Sequence, residues 1–526
     1  MNVKKLGPAR VGFIKNGRGS CHDTVMHEIE LKFQVSAGQL DALDKAVAGR
    51  TPARRMRLQA AYCDTAQRAL AQAHMALRVR REGRRWVQTL KGATADGMTR
   101  LEHNVPLGAG AGAPQADPAL HAGTPAGDRL EAALAAAPGE PLAVIFMTDI
   151  LRRTRVLHTS LGSVELALDT GSITAGGSKL AVHEFEIELL SGSARAVILA
   201  ARRWLSRFGL WLDTRSKAER GDMLARGVAM APPRVASAVR LAPGMSASQA
   251  LRAVLATCAD QILVNASQVA SGEHADEHVH QLRVGLRRLR SGLRLFEGTP
   301  VDAGLEPAAA ALFGRLGAAR DQVVIEGEFA AELQAALQAA GVAGDVPPAA
   351  LRDNAEAPAA VLRDSASQTL LLDLLAALHA DDLVDALADA AAPIDAEPLR
   401  ERLAARLNRW HRRAAADAKR YPELDDAGRH RLRKRVKRLR YALEFLAALF
   451  KPRELRRYLS ALRAVQERLG AINDVVVAMA AFKHQRDTDP RAWFALGWLA
   501  ARREALIAKA LPDLKAFAKA KRLRKT

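Results

Sequence analysis

The run Glu28-Ile29-Glu30-Leu31-Lys32-Phe33 alternates charged and apolar residues without a break. Successive side chains on a strand point to opposite faces, so Ile29, Leu31 and Phe33 share one side and Glu28, Glu30 and Lys32 the other. A solvated surface strand would look the same if it stood alone. Later segments repeat the pattern with complementary charges. Ala76-Leu77-Arg78-Val79-Arg80 sets Arg78 and Arg80 on one face, and Trp86 to Lys91, the return arm of a hairpin turning near Glu82-Gly83, sets Thr89 and Lys91 together. Ser163 to Asp169 pairs Glu165 with Asp169 on one face. His183 to Leu189 stacks Glu184, Glu186 and Glu188 on one side, spaced by about 6 to 7 Å.

Like charges across a ladder repel, and a row of carboxylates stays ionised inside a fold only with a cation among them. A meander of these strands closing with its charged face inward meets both demands. The carboxylates could then hold hard divalent cations and the bases could grip phosphate oxygens.

At 526 residues the chain is too long for one core. Lys and Arg outnumber Asp and Glu 78 to 57, a formal charge of +21, which favours polyanionic partners. Only 4% of residues are aromatic and they form no base-stacking cluster, so phosphate without bases is the better match and no nucleic-acid partner is expected. Cys21, Cys63 and Cys258 lie far apart, with no CxxC pair, which fits a reducing cytoplasm. No uncharged apolar run reaches the roughly 18 residues of a membrane span, so no membrane partner is expected. The start lacks the apolar stretch of a secretory signal, and residues 1–25 read as a disordered extension or as a start placed too early, ahead of Met26.

Between the charged strands, Ser36 to Arg50 reads as a helix with Ser36 as N-cap, and Arg57 to Thr65 as a strand. Gly108 to Pro141 reads as a loop with a short helix around Asp128 to Ala137. Phe146 to Leu157 is strand-like and carries Arg152, Arg153 and Arg155. Alternation groups Arg153 with Arg155 and leaves open which face is inward.

After Pro- and Gly-rich steps at residues 229–244, read as a linker, Ala- and Leu-rich helical patterns take over. They contain an internal repeat. His280-Gln281-Leu282-Arg283 with Arg287-Arg288-Leu289-Arg290 recurs as His430-Arg431-Leu432-Arg433 with Lys437-Arg438-Leu439-Arg440. A second signature follows each copy: Leu316-Gly317…Arg320-Asp321-Gln322-Val323-Val324, then Leu469-Gly470…Asn473-Asp474-Val475-Val476. Helical spacing aligns His280, Arg283, Arg287 and Arg294, and likewise His430, Arg433 and Lys437. Two such helices suggest facing basic walls around a long anion, whereas metal ligation by the histidines lacks a partner at i+4. Asp345 to Pro358 reads as a loop between the units and Lys515 to Thr526 as a fraying end.

The charged strands, with the closing Ser216-Lys217-Ala218-Glu219-Arg220-Gly221, resemble the CYTH domain, or triphosphate tunnel metalloenzymes, over residues 26–228. The repeated basic signatures over 245–526 resemble the CHAD domain. The resemblance implies an antiparallel eight-stranded β tunnel with flanking helices, followed by an all-α bundle with two internal repeats. It implies phosphate binding by Lys32, Arg78, Arg80, Lys91, Arg152, Arg153 and Lys217, and Mg²⁺ or Mn²⁺ on Glu28, Glu30, Glu184, Glu186 and Glu188. Glu28, Glu30, Lys32, Glu165 and Asp169 would take part in catalysis. In the second domain His280, Arg283, Arg287, Arg290, Arg294, His430, Arg433, Lys437 and Arg440 would bind polyphosphate.

The implied activity is a cytoplasmic inorganic triphosphatase, splitting tripolyphosphate into pyrophosphate and phosphate, with inorganic polyphosphate as a second ligand and polyphosphate granules as a place of association. The alternatives are a non-catalytic polyphosphate adaptor and a CYTH enzyme acting on an organic triphosphate, such as a thiamine triphosphatase or adenylate cyclase. Oligomeric state is left open.

Overall fold

The computed structural model describes residues 26–49, 53–93, 98–110, 112–242, 245–298, 303–317, 327, 329–347, 356–379, 397–483 and 485–520. Residues 1–25, Arg320 to Val324 of the first repeat, most of the 345–358 loop and the last six residues therefore lie outside the described residues. The chain divides into two compact units, Met1–Ala229 and Met230–Thr526.

The first unit is built on strands β1 (Met26–Gln34), β2 (Arg54–Asp64), β3 (Met75–Glu82), β4 (Arg85–Ala93), β5 (Thr99–Ala109), β6 (Ala143–Thr159), β7 (Gly162–Ala175) and β8 (Ser178–Gly192). They pair antiparallel in the order β5-β4-β3-β2-β6-β7-β8-β1, and β1 also pairs with β5, so the sheet closes into an eight-stranded barrel. A two-residue β9 (Trp211–Leu212) adds to the end of β1. The alternation in β1 has the expected result. Leu31 and Phe33 face out of the barrel and are buried, with Phe185 of β8 packed on Trp204 of helix α4 (Ala194–Phe208). The charged side chains face in.

Helices α1 (Leu40–Ala48), α2 (Ala69–Gln72) and α3 (Pro125–Ala135) cover the outside. Ser36 is extended but makes no side-chain cap. A 3₁₀ turn at Ala37–Gln39 intervenes before α1. The α3 helix begins three residues earlier than expected because Thr124 caps it, accepting from Gly127 N at 3.0 Å, with Pro125 at the first position.

Helix α5 (Lys217–Ala225) opens with a capping box between Ser216 and Glu219 and lies against β6, β7 and β8. Its apolar side joins a cluster of Leu58, Ala60, Tyr62, Phe146, Ile150, Ile173 and Val182. Gly221 makes that seat possible, since a Cβ there would lie 2.3 Å from the Phe146 ring. The helix thereby aims Lys217 and Arg220 at the inward carboxylates.

The second unit is helical among its described residues: α6 (Ala247–Ser271), α7 (Asp276–Leu295), α8 (Leu305–Arg315), α9 (Ala330–Ala339), α10 (Pro358–Arg363), α11 (Ser365–Leu378), α12 (Glu397–Lys419), α13 (Asp426–Phe445), α14 (Pro452–Lys483) and α15 (Pro490–Ala518). The two repeated basic segments are α7 and α13, which pack against each other through one face while Leu282, Leu286, Leu289, Leu432, Val436 and Leu439 fill the core. Gly285 lets α6 approach α7, since a Cβ would stand 2.8 Å from Ile262. Residues 230–242, expected as linker, are pinned to this unit. Ala231 N donates to Gln268, Arg234 N to Asn265, and Arg288 to the Ser237 carbonyl. No described helix is long and apolar enough to cross a membrane.

Candidate active site in the barrel lumen

Seven strands and α5 deliver side chains of both signs to the barrel interior. At one level, Lys217 Nζ meets Asp169 at 2.7 Å and Glu186 at 2.8 Å and also contacts Glu184. Arg152 spans Asp169, with Nε and Nη2 each 2.7 Å from a carboxylate oxygen, and reaches Glu186 at 2.5 Å. Arg220 closes on Glu184 from the other side. Oxygen atoms of Asp169, Glu184 and Glu186 all lie within 4.8 Å of one another. Burial by itself would raise Asp169 and Glu186, but Arg152 and Lys217 outweigh it and hold both below the usual carboxylate range. Glu184, fully buried, is pushed up by desolvation against Lys217 and Arg220.

A second level is richer in acid. Lys91 Nζ bonds Glu28 at 2.8 Å and Glu102 at 2.6 Å, Lys32 pairs with Glu30, and Glu30 faces Glu188 across the β1–β8 ladder. Glu165 stands opposite Glu188 on β7. Burial pushes Glu188 up to about 7; Lys91 opposes the rise, and the charges of Glu30, Glu165 and Glu102 add to it. Burial likewise raises Glu28 well above its ordinary value. Crowded carboxylates in need of positive charge, with oxygen-only donors, fit a hard divalent cation of the Mg²⁺ or Mn²⁺ type.

On β3, Arg78 donates to the Tyr62 hydroxyl at 3.0 Å and Arg80 pairs with Glu82. The Nε of each is buried without a hydrogen-bond partner. Burial, and then Arg78, lower Arg80 to about 10. Two guanidinium groups side by side with unsatisfied donors are a receptor for an oxyanion.

Of the residues singled out from the sequence, Glu28, Glu30, Lys32, Arg78, Arg80, Lys91, Arg152, Glu165, Asp169, Glu184, Glu186, Glu188 and Lys217 are brought to this interior. Arg153 is not. It faces out and forms a paired contact with Asp44 of α1, at 2.5 and 2.8 Å. Alternation makes the reason plain: once Arg152 points in, Arg153 and Arg155 must point out. Glu102, Tyr62 and Arg220 joined the site unforeseen. Glu102 lies on β5, a strand missed because its outward positions Leu101, His103 and Val105 mix a polar residue into the apolar alternation.

In the helical unit the basic side chains separate into two groups. Arg287 of α7 and Arg433, Lys437 and Arg440 of α13 face one another, and Arg287, Arg433 and Arg440 each leave a buried Nε without a hydrogen bond. Burial, then these arginines, lower Lys437 to about 6. Arg290 and Arg294 instead bind Glu306 at 2.8 and 2.9 Å. Arg283 lies over Phe313 and donates to the Leu316 carbonyl at 2.5 Å. The second copy's two signatures meet in space: His430 contacts Asn473 at 3.1 Å and Arg433 lies 4.0 Å from Asp474. His280 is partly exposed on α7.

A closed antiparallel barrel with an acid- and base-lined interior, joined to a helical unit with repeated basic helices, defines a two-domain protein of the triphosphate-tunnel class. The CYTH domain matches residues 26–221 and the CHAD domain residues 253–483, so the one chain carries both domains. It is 28% identical over 207 residues to the inorganic triphosphatase of Haemophilus influenzae, covering 38% of this chain and 55% of that protein. The chain thus spans about half the length of this curated relative. The crystal structure of the CHAD domain from the plant Ricinus communis is 30% identical, covers 56% of this chain and all of that one, with a TM-score of 0.46. The Hippeastrum protein HpAC1, named for adenylyl cyclase and described with a dominant triphosphatase activity, is 17% identical over 39% of this chain and 98% of that one, at a TM-score of 0.28.

Proposed function

We propose that the barrel is a metal-dependent inorganic triphosphatase, hydrolysing tripolyphosphate to pyrophosphate and phosphate, and that the helical unit binds inorganic polyphosphate. The observation that carries the first reading is the pairing, inside one enclosed space, of Arg78 and Arg80 with unsatisfied donors and a carboxylate group that lacks enough positive charge. Likeness to the Haemophilus influenzae inorganic triphosphatase supports the same chemistry.

Arg78, Arg80, Lys91, Arg152 and Lys217 bind the phosphate oxygens and spread the charge that builds as the bridging bond lengthens. Asp169, Glu184 and Glu186, with Glu28, Glu30 and Glu188 beside them, would hold the divalent ion. When bound, that ion would supply positive charge to the phosphate oxygens and lower the pKa of a nearby water. One water is consumed, the terminal P–O–P bridge breaks, and pyrophosphate departs with the bonding electron pair. No covalent enzyme intermediate is required.

The cluster of Arg287, Arg433, Lys437 and Arg440 supports the second reading, since bases with buried unsatisfied donors gain most from a polyanion. A double Glu28→Gln/Glu30→Gln variant separates hydrolase from adaptor. It should lose phosphate release from tripolyphosphate while keeping polyphosphate affinity. Undiminished phosphate release would remove the role given to these carboxylates, and no phosphate release by the wild type from tripolyphosphate, ATP, thiamine triphosphate or polyphosphate with Mg²⁺ would remove the enzyme.

A further inference from the structure

A cleft of about 440 Å³ lies where β2 and β3 leave the charged interior, lined by Arg54, Arg55, Met56, Arg57, Arg81 and Glu82 among others. It sits at the rim, where β2 runs on past the β3–β4 hairpin, with Met56 and Glu82 on the inward face and Arg55, Arg57 and Arg81 on the outward one. Glu82 lies two residues from Arg80 and pairs with it, and Met56 occupies the ladder rung of Arg152. One strand repeat, about 7 Å, therefore separates a phosphate-binding arginine from a cleft residue.

The cleft is positive. Arg55 and Arg57 are already matched, by Asp44 at 3.6 Å and by Asp149 at 2.5 Å. Arg54 has no carboxylate within ion-pair distance among the described residues, and Arg81 donates only to the Gly83 carbonyl while lying over Trp86. The lining carboxylate, Glu82, is neutralised by Arg80 from the lumen side. Among the described residues no aromatic ring lines the cleft, and Arg81 covers Trp86, so these residues offer no surface for stacking a nucleobase.

We propose that this cleft is an outer subsite for the distal phosphates of a linear polyphosphate longer than tripolyphosphate, so that the barrel trims such chains from one end. The inference rests on the hydrolase reading and extends its substrate class. Each turnover consumes one water, breaks the terminal P–O–P bridge inside the lumen, and leaves orthophosphate and a chain one unit shorter whose new end carries the bonding electrons. The remainder of the chain lies across Arg54 and Arg81.

The test uses the full chain with Arg54→Glu/Arg81→Glu and with Arg54→Ser alone, which touches only an exposed side chain. Phosphate release is measured with Mg²⁺ from tripolyphosphate and from a medium-chain polyphosphate. The expected result is KM raised about tenfold for the medium chain in the double variant, and in the same direction in Arg54→Ser, with tripolyphosphate kinetics unchanged. Equal shifts for both substrates, or none, overturn the subsite. If the wild type releases no phosphate from tripolyphosphate, the hydrolase reading has failed instead. Direct binding of the medium chain then decides the cleft: weaker binding by the double variant supports it, and equal binding overturns it.

Discussion

The guanidinium of Arg152 and the carboxylate of Asp169 meet side by side, Nε to Oδ1 and Nη2 to Oδ2, both at 2.7 Å, while the next residue in the chain turns its guanidinium to Asp44 on the opposite face of the barrel. Two adjacent arginines thus have unrelated tasks. Arg152→Ala should lower kcat/KM for tripolyphosphate by about 100-fold, as removal of a charge-stabilising donor does. Arg153→Ala should leave kinetics alone and cost about 1 kcal/mol or less of stability, the worth of a partly exposed pair. Steady-state kinetics with a denaturant titration of both variants checks this, and equal kinetic losses would contradict the assignment.

The seat of α5 depends on a missing methyl group. Gly221→Ala would place a Cβ 2.3 Å from the Phe146 ring, an overpacking expected to cost about 1 to 3 kcal/mol. Because the same helix carries Lys217 and Arg220 to Glu184, activity should fall with stability. Pairing the change with Phe146→Leu should restore part of both, and a fully stable, fully active Gly221→Ala would refute the packing argument.

Much of this site could be read from period-two alternation, because a closed barrel turns the inward face of every strand toward one space. Glu28, Glu30 and Lys32 on β1 and Glu184, Glu186 and Glu188 on β8 were legible for that reason. Which of Arg152 and Arg153 points inward was not, since three bases within four residues give alternation no apolar marker. Tyr62 escaped notice because an aromatic in a strand reads as core, and here it is both core and hydrogen-bond acceptor, stacked on Phe146 at 4.5 Å and bonded to Arg78. In the helical unit the register of α7 and α13 was visible, but not that Glu306 of α8 claims Arg290 and Arg294, a long-range contact no local pattern encodes.

Glu188 makes metal-free stability depend on pH. Its folded pKa of about 7 lies above the ordinary 4.5, so between those values the folded chain keeps a proton that the unfolded chain has released. Its stabilising contribution is complete below about 4.5 and is lost as pH rises through about 7. The Tm of metal-free wild type should therefore fall, relative to Glu188→Gln, as pH rises across that window, and added Mg²⁺ should oppose the loss most strongly at its upper end. Parallel Tm curves for the two proteins would contradict this.

Lys437 gives the proposed polyphosphate site a pH response of its own. Without an anion its pKa sits near 6, so at neutral pH it is largely uncharged. A bound polyanion favours the ammonium form and raises that pKa, so binding takes up a proton and affinity is greatest below about 6 and declines as pH rises. Lys437→Arg, which keeps its charge, should flatten the dependence. Calorimetry in buffers of different ionisation enthalpy measures the proton uptake directly, and none in the wild type would contradict the assignment.

The most direct test of the barrel's chemistry is phosphorus NMR of tripolyphosphate incubated with the full chain, with Mg²⁺ and with chelator. The account predicts equal amounts of pyrophosphate and orthophosphate in the presence of Mg²⁺, none with chelator, and none from Arg78→Ala/Arg80→Ala. Phosphate release that persists in chelator, or that survives loss of both arginines, would contradict it.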